Sequence, residues 1–312
     1  MESGIVAEGL SCRHSPEAPP AACYTHALRR TAAVPVYSHS RLSTFEKCPL
    51  QFRYRYLDKI KRETQGVEAF LGIRVHEALE KVYRDVGMER VPSLDEVLAF
   101  YRERWEAEYS DRITIVKTGY GPAHYRSVGE RCLVDYYDRY TPFDQERTLG
   151  LEERIALDLG GDRRYRVQGF IDRLARSGPG IYEIHDYKTS SSLPAERDLR
   201  ADRQLSFYQM AVQERFPDAR EVRLIWHYLA FNQELRSTRT PEQLSSQSTA
   251  AMRLIDRIEA QTEFPPRESP LCRWCDYRDI CPVQKHLVKG NPRPRTATAP
   301  GGAGRSRQMR LL

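Results

Sequence analysis

The sequence has no hydrophobic run long enough to cross a membrane. A membrane-spanning helix needs about 20 consecutive apolar residues, and charged or polar residues interrupt every apolar stretch well before that length. The first 36 residues also lack the apolar core of a signal peptide. Their Pro, Ala and Ser residues follow no periodicity, which predicts a disordered arm over residues 1–36. We therefore expect a cytoplasmic protein without a membrane partner.

Acidic residues are missing from the end of the chain. Residues 283–312 contain seven Lys or Arg and no Asp or Glu. Because the whole chain carries a net charge of +6, the first 282 residues carry −1. The Gly and Pro content predicts a flexible basic tail over residues 284–312. Such a tail can bind a polyanion such as nucleic acid, although a solubilising terminus has the same composition.

The chain has no GxxxxGK[ST] sequence and no internal repeat. Without that phosphate-binding loop, any unwinding of DNA must come from another protein. Seven cysteines without a secretory signal favour a reducing compartment, where thiols bind metal or are buried. With 40% hydrophobic and 29% charged residues, the 312-residue chain can form one large domain or two small ones.

Hydrophobic periodicity predicts helices first and a sheet afterwards. A short helix, with Ser40 or Ser43 as its N-cap, directs Leu42, Phe45 and Leu50 inward. The other predicted helices are 67–86, 93–109, 124–140, 202–216 and 241–262. The predicted strands are two segments around the turn at 160–162, then 181–189 and 221–231. This order is typical of an α/β core with a mixed sheet.

Two opposite charges lie at the end of the third predicted strand. Asp186 and Lys188 are two residues apart, so in a strand both lie on one face, with Tyr187 on the other. Asp172, at the end of the preceding strand, could reach the same metal ion as Asp186. Mg²⁺ and Mn²⁺ prefer carboxylate oxygens and water, and a nearby lysine can stabilise phosphate charge. The alternatives are an exposed ion pair and an Asp172 paired with a neighbouring arginine.

Two helical features could complete such a site. His76 lies in the long predicted helix, and imidazole is a good ligand for Mn²⁺ beside carboxylates. Gln204 and Tyr208 are one helical turn apart, so both face the same side and could hold a phosphate or a base edge. Each feature alone is also ordinary for a helix.

Four short motifs occur in order along the chain: GIRVH, GFIDRL, DYKT and QLSFY. As an ordered set they resemble the RecB-type branch of the PD-(D/E)XK nuclease superfamily, over roughly residues 37–283. The resemblance implies a restriction-endonuclease-like α/β core, with a mixed central sheet flanked by helices and preceded by a helical region. The roles it implies are metal ligation by His76, Asp172, Asp186 and the Tyr187 carbonyl, catalysis by Asp172, Asp186 and Lys188, and DNA binding by Gln204 and Tyr208.

The cysteines near the C-terminus are closely spaced. Cys272, Cys275 and Cys281 form a C-x₂-C-x₅-C run, and three thiols this close are rarely packing residues. Cys48, 224 residues upstream of Cys272, is the best candidate for a fourth ligand. The remaining cysteines are assigned to the disordered arm (Cys12 and Cys23) and to the core face of a helix (Cys132).

Four thiolates suit either Zn²⁺ or an iron–sulfur cluster. The one-plus-three layout and the two Cys-Pro dipeptides resemble the 4Fe–4S staple of RecB-type nucleases such as the AddB subunit and the Cas4-like CRISPR-associated nucleases. That staple would close a loop of more than 200 residues and so stabilise the fold. Arginine and aromatic side chains around it could contact single-stranded DNA or simply pack together.

These features predict a metal-dependent DNA nuclease that acts as an exonuclease on single-stranded ends, because threading under a stapled region favours a free end. The expected cofactors are Mg²⁺ or Mn²⁺ and a 4Fe–4S cluster. Family likeness suggests a helicase or another repair or CRISPR protein as partner, in DNA repair, recombination or CRISPR adaptation. The alternatives are a catalytically inactive DNA-binding or scaffolding subunit and a zinc-stapled regulatory protein.

Overall fold

The computed structural model describes residues 34–287. The predicted basic tail lies outside these residues except for its first four, and so does nearly all of the predicted N-terminal arm, with Cys12 and Cys23. Within residues 34–287, no helix combines the length and the apolar character that a membrane crossing requires.

The first helices lie directly against the sheet. Helix α1 is His39–Lys47, helix α2 is Pro49–Phe52, and one π-helical turn follows at Arg53–Leu57. Leu42 and Phe45 are buried, as predicted. Their packing fixes the N-terminal segment over one face of the sheet.

The predicted N-cap of α1 is wrong. The cap is Ser38, whose Oγ accepts the backbone N–H of Arg41 at 3.1 Å, whereas Ser40 and Ser43 lie within the helix. Tyr37 forms an isolated bridge with Val167 of the sheet, which keeps the chain extended up to residue 37. The helix therefore begins immediately after that bridge.

Three longer helices form a layer on the other face. They are α3 (Val67–Val86), α4 (Leu94–Glu108) and α5 (Pro122–Tyr140), each within two residues of its predicted range. Gly87 ends α3, and Ser93 and Glu96 form a capping box at the start of α4. Cys132 is buried in α5, which confirms its assignment to the core.

The central sheet has five strands, which are β3 (Arg147–Asp158), β4 (Arg166–Gly178), β5 (Ile181–Lys188), β6 (Glu221–Tyr228) and β7 (Gln233–Ser237). They lie side by side in the order β3-β4-β5-β6-β7. Strands β5 and β6 are parallel, and every other neighbouring pair is antiparallel, so the predicted mixed sheet is confirmed. A separate two-residue pair, β1 (Gln65–Gly66) with β2 (Ile113–Thr114), lies beside α3.

The strand at the sheet edge is not predicted by the sequence pattern. The predicted strand 221–231 ends at Tyr228, and the apolar residues after it form a 3₁₀ turn, Leu229–Phe231. Asn232 then adopts a left-handed conformation (φ 48°) and the chain returns as β7. A polar five-residue edge strand has little hydrophobic alternation, so pattern alone does not reveal it.

The parallel pair requires a crossover, and helices supply it. Helices α6 (Glu196–Arg200) and α7 (Arg203–Arg215) connect β5 to β6, and α8 (Pro241–Glu259) follows β7. Helices α1, α7 and α8 bury one apolar cluster against the sheet, and α3, α4 and α5 bury another. Strand β5 is covered on both faces, which makes its three charged residues, Glu183, Asp186 and Lys188, unusual.

Candidate active site

The site forms where β4 and β5 separate. Backbone pairing of these strands runs from Gly178–Ile181 to Arg173–His185, and beyond that β4 remains paired with β3 but no longer with β5. Asp172 therefore lies in the middle of β4, not at its end as predicted, because β3 extends the pairing of β4 on both sides. The Tyr187 N–H donates to Oδ2 of Asp172 at 2.8 Å across the fork.

Arg173 and Arg154, the two arginines that could have formed an ion pair with Asp172, contact other side chains. Arg173 contacts Glu146, and Arg154 donates to Gln168 at 3.0 Å. Asp172 is thus not one half of a solvated ion pair with either arginine.

Asp186 and Lys188 lie together on one face of β5. Lys188 Nζ is 2.6 Å from Asp186 Oδ2, and Asp186 is buried. Tyr187 packs on the opposite face, against the α3–α5 layer. The alternation of side chains in a strand explains this arrangement, as predicted.

The electrostatics of the pair are set by burial and by its own charges. Burial raises the pKa of Asp186 to about 6, although the Lys188 ammonium opposes the shift, and the Asp172 charge adds to it. For Lys188, burial opposes the charged form, but the charges of Asp186 and Asp172 outweigh it and raise its pKa above the ordinary value. The pair is therefore ionised at neutral pH.

Helix α7 presents Gln204 and Tyr208 to this pair. The Gln204 amide donates to Tyr208 Oη at 3.0 Å and to Asp186 Oδ1 at 3.4 Å, and its carbonyl oxygen is 3.5 Å from Lys188 Nζ. Gln204 thus bridges the acid and the lysine. The glycine of GFIDRL makes room for this contact, because a Cβ on Gly169 would lie 2.6 Å from Tyr208 Cε1.

His76 reaches the fork from α3. Its Nε2 lies 2.8 Å from the Tyr187 carbonyl oxygen, and its Nδ1 lies 3.7 Å from Asp172 Oδ2. Gly72, one turn earlier, lets α3 approach the end of β5, since a Cβ there would be 3.2 Å from Thr189 Oγ1. A histidine and a backbone carbonyl therefore meet at the carboxylate.

Glu152 completes the cluster, and it is not among the predicted residues. Side-chain ligand atoms of His76, Glu152 and Asp172 all lie within 4.8 Å of one another. Glu152 has a left-handed backbone (φ 48°), a conformation that costs a non-glycine residue about 1–3 kcal/mol. Burial, and then the Asp172 charge, raises its pKa to about 7.

The sequence pattern does not reveal Glu152. The β3–β4 register pairs Leu151 with Arg173 and Glu153 with Ile171, so Glu152 lies opposite Asp172. A symmetric hairpin centred on Gly161, the middle of the predicted Gly-Gly-Asp turn, would instead place Glu152 opposite Phe170. What no pattern supplies is the left-handed backbone that turns the Glu152 side chain to the site.

This donor set fits a divalent cation. Two carboxylates, one imidazole and one backbone carbonyl are suitable for Mn²⁺ or Mg²⁺. With ligand distances of about 2.1 Å, adjacent ligands of an octahedral ion lie about 3 Å apart, close to the 2.8 Å between His76 Nε2 and the Tyr187 oxygen. Asp186 lies next to this cluster and already holds Lys188.

A second group of acids and histidine has a different explanation. Glu146, Glu183 and His185 also place ligand atoms within 4.8 Å of one another. The Arg173 guanidinium, however, contacts both Glu146 and His185. This group is an ion-paired part of the core.

The sequence as a whole matches a known family. The model of the PD-(D/E)XK nuclease superfamily matches residues 36–282. The chain belongs to this superfamily. The predicted membership of this superfamily and the predicted restriction-endonuclease-like fold are thereby confirmed.

Individual relatives of this PD-(D/E)XK protein are distant. It is 27% identical, over 178 residues, to one subunit of the ATP-dependent helicase/deoxyribonuclease of Carboxydothermus hydrogenoformans; the match covers 49% of this chain and 16% of the relative. A crystallised exonuclease candidate from Eubacterium rectale is 12% identical with a TM-score of 0.45, covering 86% of this chain and 91% of that one. The protein SSO0001 is 16% identical with a TM-score of 0.34, covering 78% and 95%.

Three of the four predicted cluster cysteines of this PD-(D/E)XK chain, Cys48, Cys275 and Cys281, lie close enough to interact electrostatically. Burial, and then the Asp276 charge, raises the pKa of Cys275 to about 11, with smaller contributions from Cys48 and Cys281. Backbone N–H groups of Arg267 and Ser269 donate to the sulfurs of Cys48 and Cys272, each at 3.4 Å. The N-terminal helices and the C-terminal segment therefore meet at these thiols.

Proposed function

We propose that this protein is a metal-dependent deoxyribonuclease that degrades single-stranded DNA from an end. The observation that carries the proposal is the Asp186–Lys188 pair, held by Gln204 beside the cluster of His76, Glu152 and Asp172. Buried acids with shifted pKa values, a lysine and metal-ligating groups at one fork of a sheet are typical of a hydrolytic site.

The residues of the chain divide the work of phosphodiester hydrolysis. His76, Glu152, Asp172 and the Tyr187 carbonyl would hold the cation, with Asp186 beside them. A bound divalent cation lowers the pKa of water and stabilises charge on phosphate oxygens. The Lys188 ammonium, oriented by Asp186 and Gln204, lies where it can stabilise the phosphate charge and hold the attacking water. Gln204 and Tyr208, joined by a hydrogen bond of 3.0 Å, would position the DNA strand.

The preference for single strands is supported by the surface near the cysteines. Trp274 is 42% exposed, and Arg53 and Arg55 of the π-helical turn are also exposed. Exposed aromatics and arginines bind single strands by stacking and by phosphate contacts. Two other arginine and aromatic side chains near the cysteines pack against the protein instead. Arg41 lies over the Tyr37 ring at 4.6 Å, and Tyr277 is buried.

We further propose that Cys48, Cys272, Cys275 and Cys281 hold a 4Fe–4S cluster. Two of the sulfurs accept backbone N–H donors, as cluster thiolates commonly do. Cys275→Ser is expected to remove the iron and to lower the free energy of unfolding by about 4–5 kcal/mol, the size for cross-linking a long loop. Iron content, visible absorption and denaturant unfolding of anaerobically purified protein measure both effects.

Cys132→Ser is the matched control for the cysteine prediction. Cys132 is buried in α5, away from the other thiols, so the iron content of the Cys132→Ser variant should equal that of the wild type. Wild-type protein that is colourless and contains one zinc would contradict the cluster proposal.

A helicase is the partner we propose. The relative from Carboxydothermus hydrogenoformans is a helicase/deoxyribonuclease component, of which this chain spans 16%. This sequence has no phosphate-binding loop of its own, so a partner would supply unwound strands. Such a pairing suits DNA repair, recombination or CRISPR adaptation.

The experiment that tests the activity compares linear with circular DNA. End-labelled linear single strands and a closed circle of the same sequence are incubated with Mn²⁺ or Mg²⁺ and the anaerobically purified protein. We expect the linear strand to be degraded and the circle to persist. Equal cleavage of both would replace the exonuclease with an endonuclease. No cleavage of either by iron-replete protein would favour the inactive DNA-binding subunit.

A further inference from the structure

A groove beside the catalytic face is not used by the chemistry above. It has a volume of about 450 Å³, is open to solvent, and lies between α1, the start of α7 and α8. This volume is within the usual range for small-molecule sites, about 300–1,000 Å³. Its lining includes His39, Ser43, Asp202, Arg203, Gln247 and Ala250.

The groove adjoins the active site along α7. Arg203 lines the groove, and the next residue, Gln204, contacts Asp186 and Lys188. Lys188 is also near enough for its charge to act on His39 in the groove. A strand whose phosphate lies at Lys188 can therefore place an adjacent part in the groove.

The charged groups of the groove do not suit a phosphate. Three carboxylates line it, on Glu46, Asp198 and Asp202, against the single guanidinium of Arg203. Arg203 is already paired with Glu46 at 2.6 Å. Asp202 accepts the Leu205 N–H at 2.8 Å as the cap of α7. Within the described residues, these three acids also do not come within 4.8 Å of one another as metal ligands would.

The remaining polar groups are neutral. Burial lowers the pKa of His39 to about 4; the Asp202 charge opposes this shift and nearby cations add to it, so the ring is uncharged at neutral pH. His39 Nε2 lies 3.5 Å from Ser43 Oγ. The Gln247 amide makes one long bond, 3.4 Å, to the Ala201 carbonyl. A neutral imidazole, a hydroxyl and an amide match the donors and acceptors on a base edge.

We propose that this groove receives the nucleoside next to the scissile phosphate, and that His39, Ser43 and Gln247 contact its base. The proposal rests on the proposed nuclease function and adds to it a subsite for an uncharged part of the DNA. The groove would then set the register of the strand and a preference for the base beside the cut.

Abasic oligonucleotides and a groove-filling variant test this subsite. Single strands with one abasic position, moved stepwise relative to the cut, should be hydrolysed about tenfold more slowly at one position, the effect of about one lost hydrogen bond. Ala250→Trp fills the groove and should remove this discrimination. Ser245→Trp, at an exposed position of the same helix outside the lining, should retain it. Equal rates for every abasic substrate with wild type would overturn the proposal.

Direct binding separates this proposal from the nuclease proposal. Unphosphorylated deoxynucleosides are titrated into the full chain and followed by NMR shifts of the protein. Binding that Ala250→Trp abolishes and Ser245→Trp preserves supports the groove, even if no DNA is hydrolysed. Failure of all four deoxynucleosides to bind wild type at millimolar concentration, together with flat abasic rates, would rule out a nucleoside subsite. Activity without either effect would leave the nuclease proposal standing alone.

Discussion

Lys188→Met is expected to lower the rate of DNA hydrolysis by about 10²–10³-fold, the loss typical when one preorganised electrostatic group is removed. Methionine keeps the length of the side chain but not its charge. Asp186, already buried with a pKa raised to about 6, would lose its partner at 2.6 Å and become protonated more readily. The change therefore removes the positive charge of Lys188 and, at the same time, makes Asp186 a weaker acid. Single-turnover hydrolysis of linear single strands at saturating Mn²⁺ measures the effect.

Glu152→Gln provides the matched comparison for the lysine. Glu152 contacts the proposed cation site and not Lys188, so its loss should raise the Mn²⁺ concentration needed for activity. Added Mn²⁺ should restore much of the activity of Glu152→Gln and none of that of Lys188→Met. Wild-type hydrolysis by a folded Lys188→Met variant would remove this lysine from the mechanism.

The site was predictable from sequence where it depends on periodicity. Asp186 and Lys188 share a face because strands alternate, and Gln204 and Tyr208 share a face because helices repeat every 3.6 residues. The direct contact of Gln204 with the Asp186–Lys188 pair follows from tertiary packing, which neither period describes.

Where the site depends on local backbone geometry, the sequence was insufficient. Glu152 joins His76 and Asp172 because of a left-handed residue in β3, and such a residue leaves no pattern of apolar residues. The sequence pattern puts Asp172 at a strand end because the apolar run ends there, yet pairing with β3 continues past Asp172 to Arg176. Local backbone geometry decided the first outcome, and long-range strand pairing decided the second.

The opposite face of the catalytic strand contains an unusual buried network. Glu183, His185 and Tyr187 alternate along β5 with Asp186 and Lys188, and all three are buried. Burial lowers the pKa of His185 well below its ordinary value, and the same holds for His227, whose Nε2 is 2.9 Å from His185 Nδ1. The two imidazoles are therefore neutral at pH 7.

Arg173 supplies the cation at the centre of this network. It is 1% exposed, its guanidinium contacts Glu146 at 3.2 Å and His185 at 2.9 Å, and it lies over the Tyr83 ring at 4.1 Å. Burial, opposed by Arg173, raises the pKa of Glu146. One buried arginine thus opposes the effect of burial on this carboxyl group.

Arg173→Met is expected to lower the free energy of unfolding by about 3–5 kcal/mol at pH 8, because it leaves a buried carboxylate unpaired. Without the guanidinium, the pKa of Glu146 rises further above its value in the unfolded chain. The folded state then binds more protons than the unfolded state, so this carboxylate favours folding as the pH falls. The deficit of Arg173→Met relative to wild type should therefore be smaller at pH 5.5 than at pH 8 in urea unfolding.

Arg176→Met on the same strand separates buried charge from mere loss of an arginine. Arg176 is about 40% exposed and pairs with Asp218 at 3.0 Å, so its loss should cost no more than about 1 kcal/mol at either pH. Equal, small effects of the two variants would show that the buried network adds little stability. A large, pH-dependent effect confined to Arg173 would mean that β5 depends on this network, so that the strand holding Asp186 and Lys188 is positioned from its far side.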